Sequence, residues 1–128
     1  MHKISPEKLQ QAEKHGKISE KHGKLVEALS KKLTGLNFSA EQEISLIHQC
    51  GKKSQQHAKA IQKYAKSAQK HNMDSTEEYT NAGAEHVKAT GEYIKAVNEY
   101  LKIAQQQLHK SKEAHSKFLE QAHNNNLP

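Results

Sequence analysis

Apolar residues recur at helical spacing in three stretches of the chain, which polar breaks near residues 35–39 and 71–75 separate. In the first stretch, a seven-residue repeat alternates histidine with apolar side chains: His15, Ile18, His22, Leu25 and Leu29. Seven residues correspond to two helical turns, so this spacing indicates an amphipathic helix whose seam faces a neighbour. The sequence therefore predicts helices separated by two short connections.

Capping residues predict where these helices begin and end. Ser5 precedes a proline and an acid and predicts the first N-cap, and Gly35 predicts the end of that helix. Ser39 is expected to cap the second helix, and Asp74 or Ser75 the third. The predicted helices cover residues of about 6–34, 40–71 and 75–122, and a flexible tail is expected at 124–128.

The third stretch is the longest, and its apolar residues continue almost to the end of the chain. The predicted seam consists of Val87, Thr90, Ile94, Val97, Leu101, Ala104, Leu108, Ser111, His115, Phe118 and Ala122. Short connections favour antiparallel neighbours. We therefore predict a single all-α domain, an antiparallel three-helix bundle with a long C-terminal helix and coiled-coil-like heptad packing.

The third helix is expected either to overhang the other two or to bend near Gly83 or Gly91. An overhang would leave part of its apolar stripe uncovered, so we expect a homodimer formed through that stripe. Acidic residues at seven-residue steps are predicted to face solvent: Glu13, Glu20 and Glu27 in the first helix, and Glu78, Glu85, Glu92, Glu99, Glu113 and Glu120 in the third, where only Gln106 interrupts the line.

The motif Glu-Lys-His-Gly-Lys occurs twice, at residues 13–17 and 20–24. Glycine costs a helix interior about 1 kcal/mol relative to alanine, so two glycines in one predicted helix require a reason. They fall beside Ala12 and Ser19 on the flank of the predicted seam. We interpret them as a strip of small residues that lets a neighbouring helix approach closely.

Composition supports a thin helical bundle rather than a large globular core. Only 34% of the residues are hydrophobic, tryptophan is absent and the net charge is +6. Such polarity is also typical of disordered chains, but the apolar periodicity and the scarcity of proline argue against disorder. All twenty basic residues are lysine, which leaves out the arginine–guanine contact that dominates base reading in DNA.

The second predicted helix is strongly basic on one side. No acidic residue occurs between Ile44 and Met73, whereas six lysines do: Lys52, Lys53, Lys59, Lys63, Lys66 and Lys70. Each basic residue near an anionic membrane contributes about 1 kcal/mol of attraction. This pattern predicts docking on anionic lipid headgroups, most simply on a phosphoinositide-bearing membrane, with Lys52, Lys59, Lys63 and Lys66 as the principal contacts.

Four alternatives to this interpretation remain open. The lysines can form an ordinary solvated face, or pair with the acidic third helix of another subunit. The chain can be a structural or adaptor protein that acts by helix–helix pairing, as a homodimer or with a helical partner. It can also be a nonspecific nucleic-acid binder, although arginine and stacking aromatic residues are missing from the basic stripe.

The ten histidines and the single cysteine carry no clear catalytic or metal motif. No two histidines have the i,i+4 spacing of a helical zinc site, so neither a metal site nor a cofactor is predicted. His15 and His22 are instead expected to make the seam sensitive to pH, because histidine gains charge below about pH 6. Cys50 is interpreted as a buried space-filling residue, and the chain is predicted not to be an enzyme.

The sequence contains no apolar run of the roughly 20 residues that a membrane span requires. Its first residues also lack the hydrophobic core of a signal peptide. We therefore expect no transmembrane segment. The chain would be cytoplasmic as written, or secreted if it is the mature form of a protein whose leader was removed.

Overall fold

Three helices account for nearly all of the chain that the structure describes. The computed structural model describes residues 4–36, 39–70 and 75–126. Helix α1 covers Pro6–Gly35, α2 covers Glu41–Lys70 and α3 covers Thr76–Asn126. No strand occurs in these described ranges, and the predicted all-α class is confirmed. Helix α3 passes through Gly83 and Gly91 without interruption and ends four residues beyond its predicted limit.

The helix ends show which capping predictions hold. The Lys8 amide donates to Ser5 Oγ over 3.3 Å, so the predicted N-cap of α1 is confirmed. Helix α2 begins after Ala40, whose carbonyl accepts from the Ile44 amide, which places the start one residue beyond the position that the predicted Ser39 cap implies. Ser75 directly precedes α3. The alternative cap Asp74 and the predicted end of α2 at 71 lie outside the described residues.

Helix α2 lies at the centre of the molecule. It packs extensively against both α1 and α3, which contact each other much less. Its largest fully buried side chains are Ile47 and Ile61, and small residues such as Ala58, Ala65 and Ala68 fill the spaces between them. The core is therefore a narrow layer along α2, in keeping with the low hydrophobic content of the chain.

Small residues bring α1 and α2 unusually close together. A Cβ atom added to Gly23 would lie 3.0 Å from the carbonyl oxygen of Gly51, and one added to Gly51 would lie 2.8 Å from the backbone nitrogen of Glu27. A Cβ added to Gly16 would lie 3.2 Å from the carbonyl oxygen of Ala58. The prediction that the repeated glycines allow a close helix approach is confirmed.

The predicted seam of α1 is wrong except at Leu29, which is half-buried and packs against the core. Its residues Ile18 and Leu25, together with His15 and His22, are exposed. The buried residues of α1 are instead Leu9, Gly16, Ser19, Gly23, Val26, Ser30 and Leu33. The contrast is sharpest between sequence neighbours, because Leu25 is 67% exposed and Val26 only 6%. Close approach of two backbones needs small side chains at the interface, and this requirement turns the larger apolar ones outward.

The same correction applies to α3. Its buried residues recur every seven positions and are mostly small: Ser75, Ala82, Ala89, Ala96 and Ile103. The predicted seam residues Val87, Ile94, Val97 and Leu101 are exposed. Both outer helices therefore bury mainly small residues together with a few larger ones, and leave most of their predicted seam residues uncovered.

The prediction that the acidic lines face solvent is wrong where α1 and α3 pack on α2, whereas Glu113 and Glu120 near the end of α3 are exposed as predicted. Glu13, Glu20 and Glu27 accept hydrogen bonds at 3.0, 2.8 and 2.7 Å from the side-chain amides of three α2 residues: Gln69, Gln62 and Gln55, respectively. Residues Glu85, Glu92 and Glu99 of α3 are likewise mostly buried. A carboxylate can lie at such an interface when an amide donor meets it there.

Two of these hydrogen bonds, those to Glu20 and Glu27, stabilise the charged form of the carboxylate that accepts them. The pKa of Glu20 lies below its ordinary value mainly because Gln62 donates to it, with a further contribution from the charges of Lys24 and Lys59. The hydrogen bond from Gln55 lowers the pKa of Glu27 in the same way. The interface between α1 and α2 thus contains a ladder of charge-assisted hydrogen bonds with a seven-residue repeat.

Candidate functional site

The most distinctive surface of the molecule is apolar and lies across α1 and α3. Among the residues that the structure describes, every exposed large hydrophobic side chain except Leu46 belongs to α3 or to α1 and its C-cap. We call this surface the apolar face and define it by eight residues: Ile18, Leu25, Val87, Ile94, Val97, Leu101, Leu108 and Phe118. Large apolar side chains exposed together on neighbouring helices commonly mark a surface that binds a partner.

A groove between α1 and α3 runs beside the apolar face. It encloses a cavity of about 430 Å³ whose floor includes Ser54 of α2. The His15 and His86 rings lie 5.5 Å apart across it, and so do the rings of His22 and Tyr93. The histidines predicted to respond to pH thus lie on the wall of an open groove, not in a buried seam. Their pH response stays a prediction.

The C-terminal part of α3 extends beyond the rest of the bundle. Ile103 is its last buried residue, and it belongs to the same core cluster as Leu33 and Ile44 near the adjoining ends of α1 and α2. From Ala104 to Asn124, the side chains are exposed apart from two that are half-buried. This overhang carries two residues of the apolar face, Leu108 and Phe118, and the latter is 66% exposed.

All six lysines of the predicted anion-binding stripe are exposed. They lie on α2, away from the apolar face. Several of them adjoin the glutamates of α1: Lys66 Nζ lies 3.9 Å from Glu13 Oε1, and the charges of Lys59 and Lys52 help to lower the pKa of Glu20 and Glu27. The stripe therefore has nearby intramolecular counter-charges, a feature that sequence spacing alone did not indicate.

No reactive centre is apparent around the cysteine. Burial raises the pKa of the Cys50 thiol to about 11, and a hydrogen bond with Glu92 acts in the same direction. A thiol of this kind is a poor nucleophile near neutral pH. His48 shares a hydrogen bond with Ser30, and His57 Nδ1 lies 2.6 Å from Glu85 Oε2, so both imidazoles are engaged in contacts between helices.

Within the described ranges, no three side chains of histidine, cysteine, aspartate or glutamate are grouped so that they could hold a metal ion. Among the same residues, no helix combines the length and the apolar character that crossing a membrane would need. Comparison with protein families, curated proteins and solved structures yields no match to this chain.

Sequence reasoning missed the hydrogen bonds that join the glutamates of α1 to the glutamines of α2. A signal for them was present, because Glu13, Glu20 and Glu27 and their three glutamine partners each recur every seven residues. Two polar lines with the same period, one donor and one acceptor, can satisfy each other between packed helices. Placing all acidic lines on the outside overlooked this pairing.

Proposed function

We propose that this chain is a non-enzymatic structural or adaptor module that acts by helix–helix pairing, and that the apolar face is its binding surface. The single observation that supports this function most strongly is the exposure of the heptad residues of α1 and α3. Heptad apolar positions are the residues through which helices normally interact. A further amphipathic helix laid along α1 and α3 would cover them, on the side of the groove opposite α2.

The scaffold for this surface would be an antiparallel three-helix bundle with heptad packing. The pairs Glu13–Gln69, Glu20–Gln62 and Glu27–Gln55 support this arrangement, because residue numbers rise along α1 as they fall along α2. The contacts of α2 with α3 follow the same order: Ser67 contacts Glu78 and Ser54 contacts Ala89. A fourth helix would then complete the usual four-helix packing.

A synthetic helical peptide tests the helix-pairing function. We expect a labelled peptide with leucine heptads and glutamine flanks to bind the protein, and the same peptide with serine in place of leucine not to bind. Ile18→Glu combined with Leu25→Glu should raise the peptide Kd at least about tenfold, because charges would be placed on the apolar face. Fluorescence anisotropy measures this binding.

Leu46→Glu provides the matched control, because Leu46 is an exposed leucine of α2 outside the apolar face. Its peptide affinity should equal that of the wild type. Equal binding by the wild type and the Ile18→Glu, Leu25→Glu variant would contradict the proposed function. Circular dichroism should show that both variants keep their helices, since every substituted side chain is exposed.

The exposed lysines of α2 support a second candidate function, docking on anionic surfaces. Their attraction would hold the protein on phosphoinositide headgroups without insertion into the membrane. A polyanionic nucleic acid would be attracted by the same charges, so it is a further outcome for the same experiment. The counter-charges of Glu13, Glu20 and Glu27 reduce the net field of the stripe, and for this reason helix pairing is the better-supported function.

Vesicle sedimentation tests the anionic-surface candidate. Wild-type protein should pellet with phosphatidylcholine vesicles that contain a phosphoinositide, and less so as salt is added. Replacing Lys59, Lys63 and Lys66 by glutamine should weaken binding roughly 100-fold, at about 1 kcal/mol for each lysine. The control replaces three exposed α3 lysines, Lys88, Lys95 and Lys102. An equal loss of vesicle binding in both triple variants would show that binding depends on the net charge of the protein and not on the position of the α2 lysines.

A further inference from the structure

We propose that the helix bound by the apolar face is α3 of a second copy of this chain, and that the two α3 helices pair antiparallel. The inference rests on the proposed helix-pairing function and identifies its partner. In this dimer, the overhang of each copy would lie in the groove between α1 and α3 of the other. Each bundle would thereby gain its fourth helix from the second copy.

The length of the exposed apolar stripe on α3 indicates that its partner is the α3 helix of a second copy. The stripe on α3 runs from Val87 to Ala122 and is about 53 Å long at 1.5 Å per residue. Helices α1 and α2 have 30 residues each, or about 45 Å, and cannot cover it. Helix α3 has 51 residues, so a second copy of it covers the stripe completely.

Two lines of residues on α3 continue from the bundle into the overhang, and their sequences differ. One line is buried against the bundle up to Ile103, and the other is the exposed apolar stripe. Ala89, Ala96 and Ile103 are buried against the bundle, but the next residues in that line, Lys110 and Lys117, are charged and exposed. The stripe acquires no lysine or glutamate in this region: Leu108 and Phe118 continue it beyond the bundle, with the polar residues Ser111 and His115 between them. An apolar line that outlasts its intramolecular neighbours is expected to have an intermolecular one.

The residues that flank the stripe do not oppose self-association. With Val87 at heptad position a, the ten e and g positions from Gly91 to Gln121 include only one charged residue, Lys112. Like charges at these positions would repel a second copy, because e and g residues set partner choice in coiled coils. In an antiparallel pair, Lys112 would face Asn98 of the second copy, and Gln107 would face its own counterpart.

The groove favours the antiparallel orientation over the parallel one. In a parallel pair, the overhangs would contact only each other, and Ile18 and Leu25 would stay exposed. In an antiparallel pair, Phe118 of one copy lies opposite Ile94 of the other, at the level where His22 contacts Tyr93. Its ring would enter the groove beside the 430 Å³ cavity, so one interface covers both α1 and α3.

The oligomeric state gives the first test. Sedimentation equilibrium of the full chain should show a dimer in the micromolar range. Leu108→Glu combined with Phe118→Glu should raise the dimer Kd at least about tenfold and retain the helical circular dichroism, because both residues lie in the overhang. Leu46→Glu should dimerise like the wild type. A strictly monomeric wild type, or a double variant that dimerises as tightly as the wild type, overturns the proposal.

Disulfide formation tests the orientation. In a Cys50→Ala background, an antiparallel pair should cross-link Ile94→Cys to Phe118→Cys when the two variants are mixed, and neither variant alone. Efficient cross-linking of Phe118→Cys with itself would indicate a parallel pair and contradict the antiparallel arrangement.

The peptide experiment distinguishes failure of the proposed self-pairing from failure of the proposed helix-pairing function. A monomeric chain that binds the leucine peptide disproves self-pairing and leaves the helix-pairing function standing, whereas a monomer that binds no peptide disproves both.

Discussion

Replacing Ile61 with alanine should lower the free energy of unfolding by about 2–5 kcal/mol, the range typical of large-to-small changes in a core. Ile61 is 1% exposed and packs with Ala82 and Ala89 of α3 and with Tyr64. Its removal would leave a cavity between rigid helices that carry few other large side chains. Native domains have about 5–15 kcal/mol of stability in total, so the variant would be close to unfolding.

Ile94→Ala is the matched control, since it makes the same chemical change on the apolar face. Ile94 is 53% exposed, and at protein concentrations below the dimer Kd its replacement should change the free energy of unfolding by no more than about 0.5 kcal/mol. Urea denaturation of both variants measures the difference. Similar losses of unfolding free energy in the two variants would show that the apolar stripe of α3, and not its line of small residues, forms the core of the single chain.

Gly51→Ala should lower the free energy of unfolding by about 1–3 kcal/mol through overpacking, despite alanine's higher helix propensity. The added Cβ would lie 2.8 Å from the Glu27 nitrogen and 3.0 Å from the Gly23 oxygen. Both atoms belong to the backbone of α1, so relief of the contact would require the whole helix to shift. A flexible side chain could rotate away, but a helical backbone cannot.

Gly83→Ala is the control for this glycine prediction. No atom of another helix lies within 4 Å of the position its Cβ would take, so the substitution should stabilise the protein by about 0.5–1 kcal/mol through helix propensity alone. Opposite signs for Gly51→Ala and Gly83→Ala in urea denaturation would demonstrate the close approach of α1 and α2. A gain of stability in both would refute it.

The sequence predicted the number and type of the elements because those depend on local signals. Periodicity, the cap at Ser5 and the stop at Gly35 act within a few residues, and α1 formed where these signals placed it. The role of Gly16 and Gly23 as a small-residue strip was also predictable, because a conformational cost repeated at seven-residue spacing calls for a packing explanation.

The facing of the helices could not be predicted by assigning the largest apolar residues to the core. That rule placed Leu25 inside and Glu20 outside, and the structure has them the other way round. Two arrangements of α1 compete in free energy. One gains close backbone contact and Glu–Gln hydrogen bonds, and the other gains the burial of a leucine. Only knowledge of the facing helix, with Gly51 and Gln62 at matching positions, decides between the two outcomes.

The seven-residue repeat of α1 also raises the question of what prevents α1 from slipping along α2. A slide by one heptad would bring Glu20 to Gln55 or to Gln69, and two of the three Glu–Gln hydrogen bonds would form again. The residues on either side of the glycine pair do not permit this. One slide would move Leu9 into the space of Gly16, and the other would move Ser30 into the space of Gly23, where even a Cβ lies within 3.0 Å of α2 atoms. Two glycines allow the close contact, and the bulkier residues at both ends of the pair define a single register.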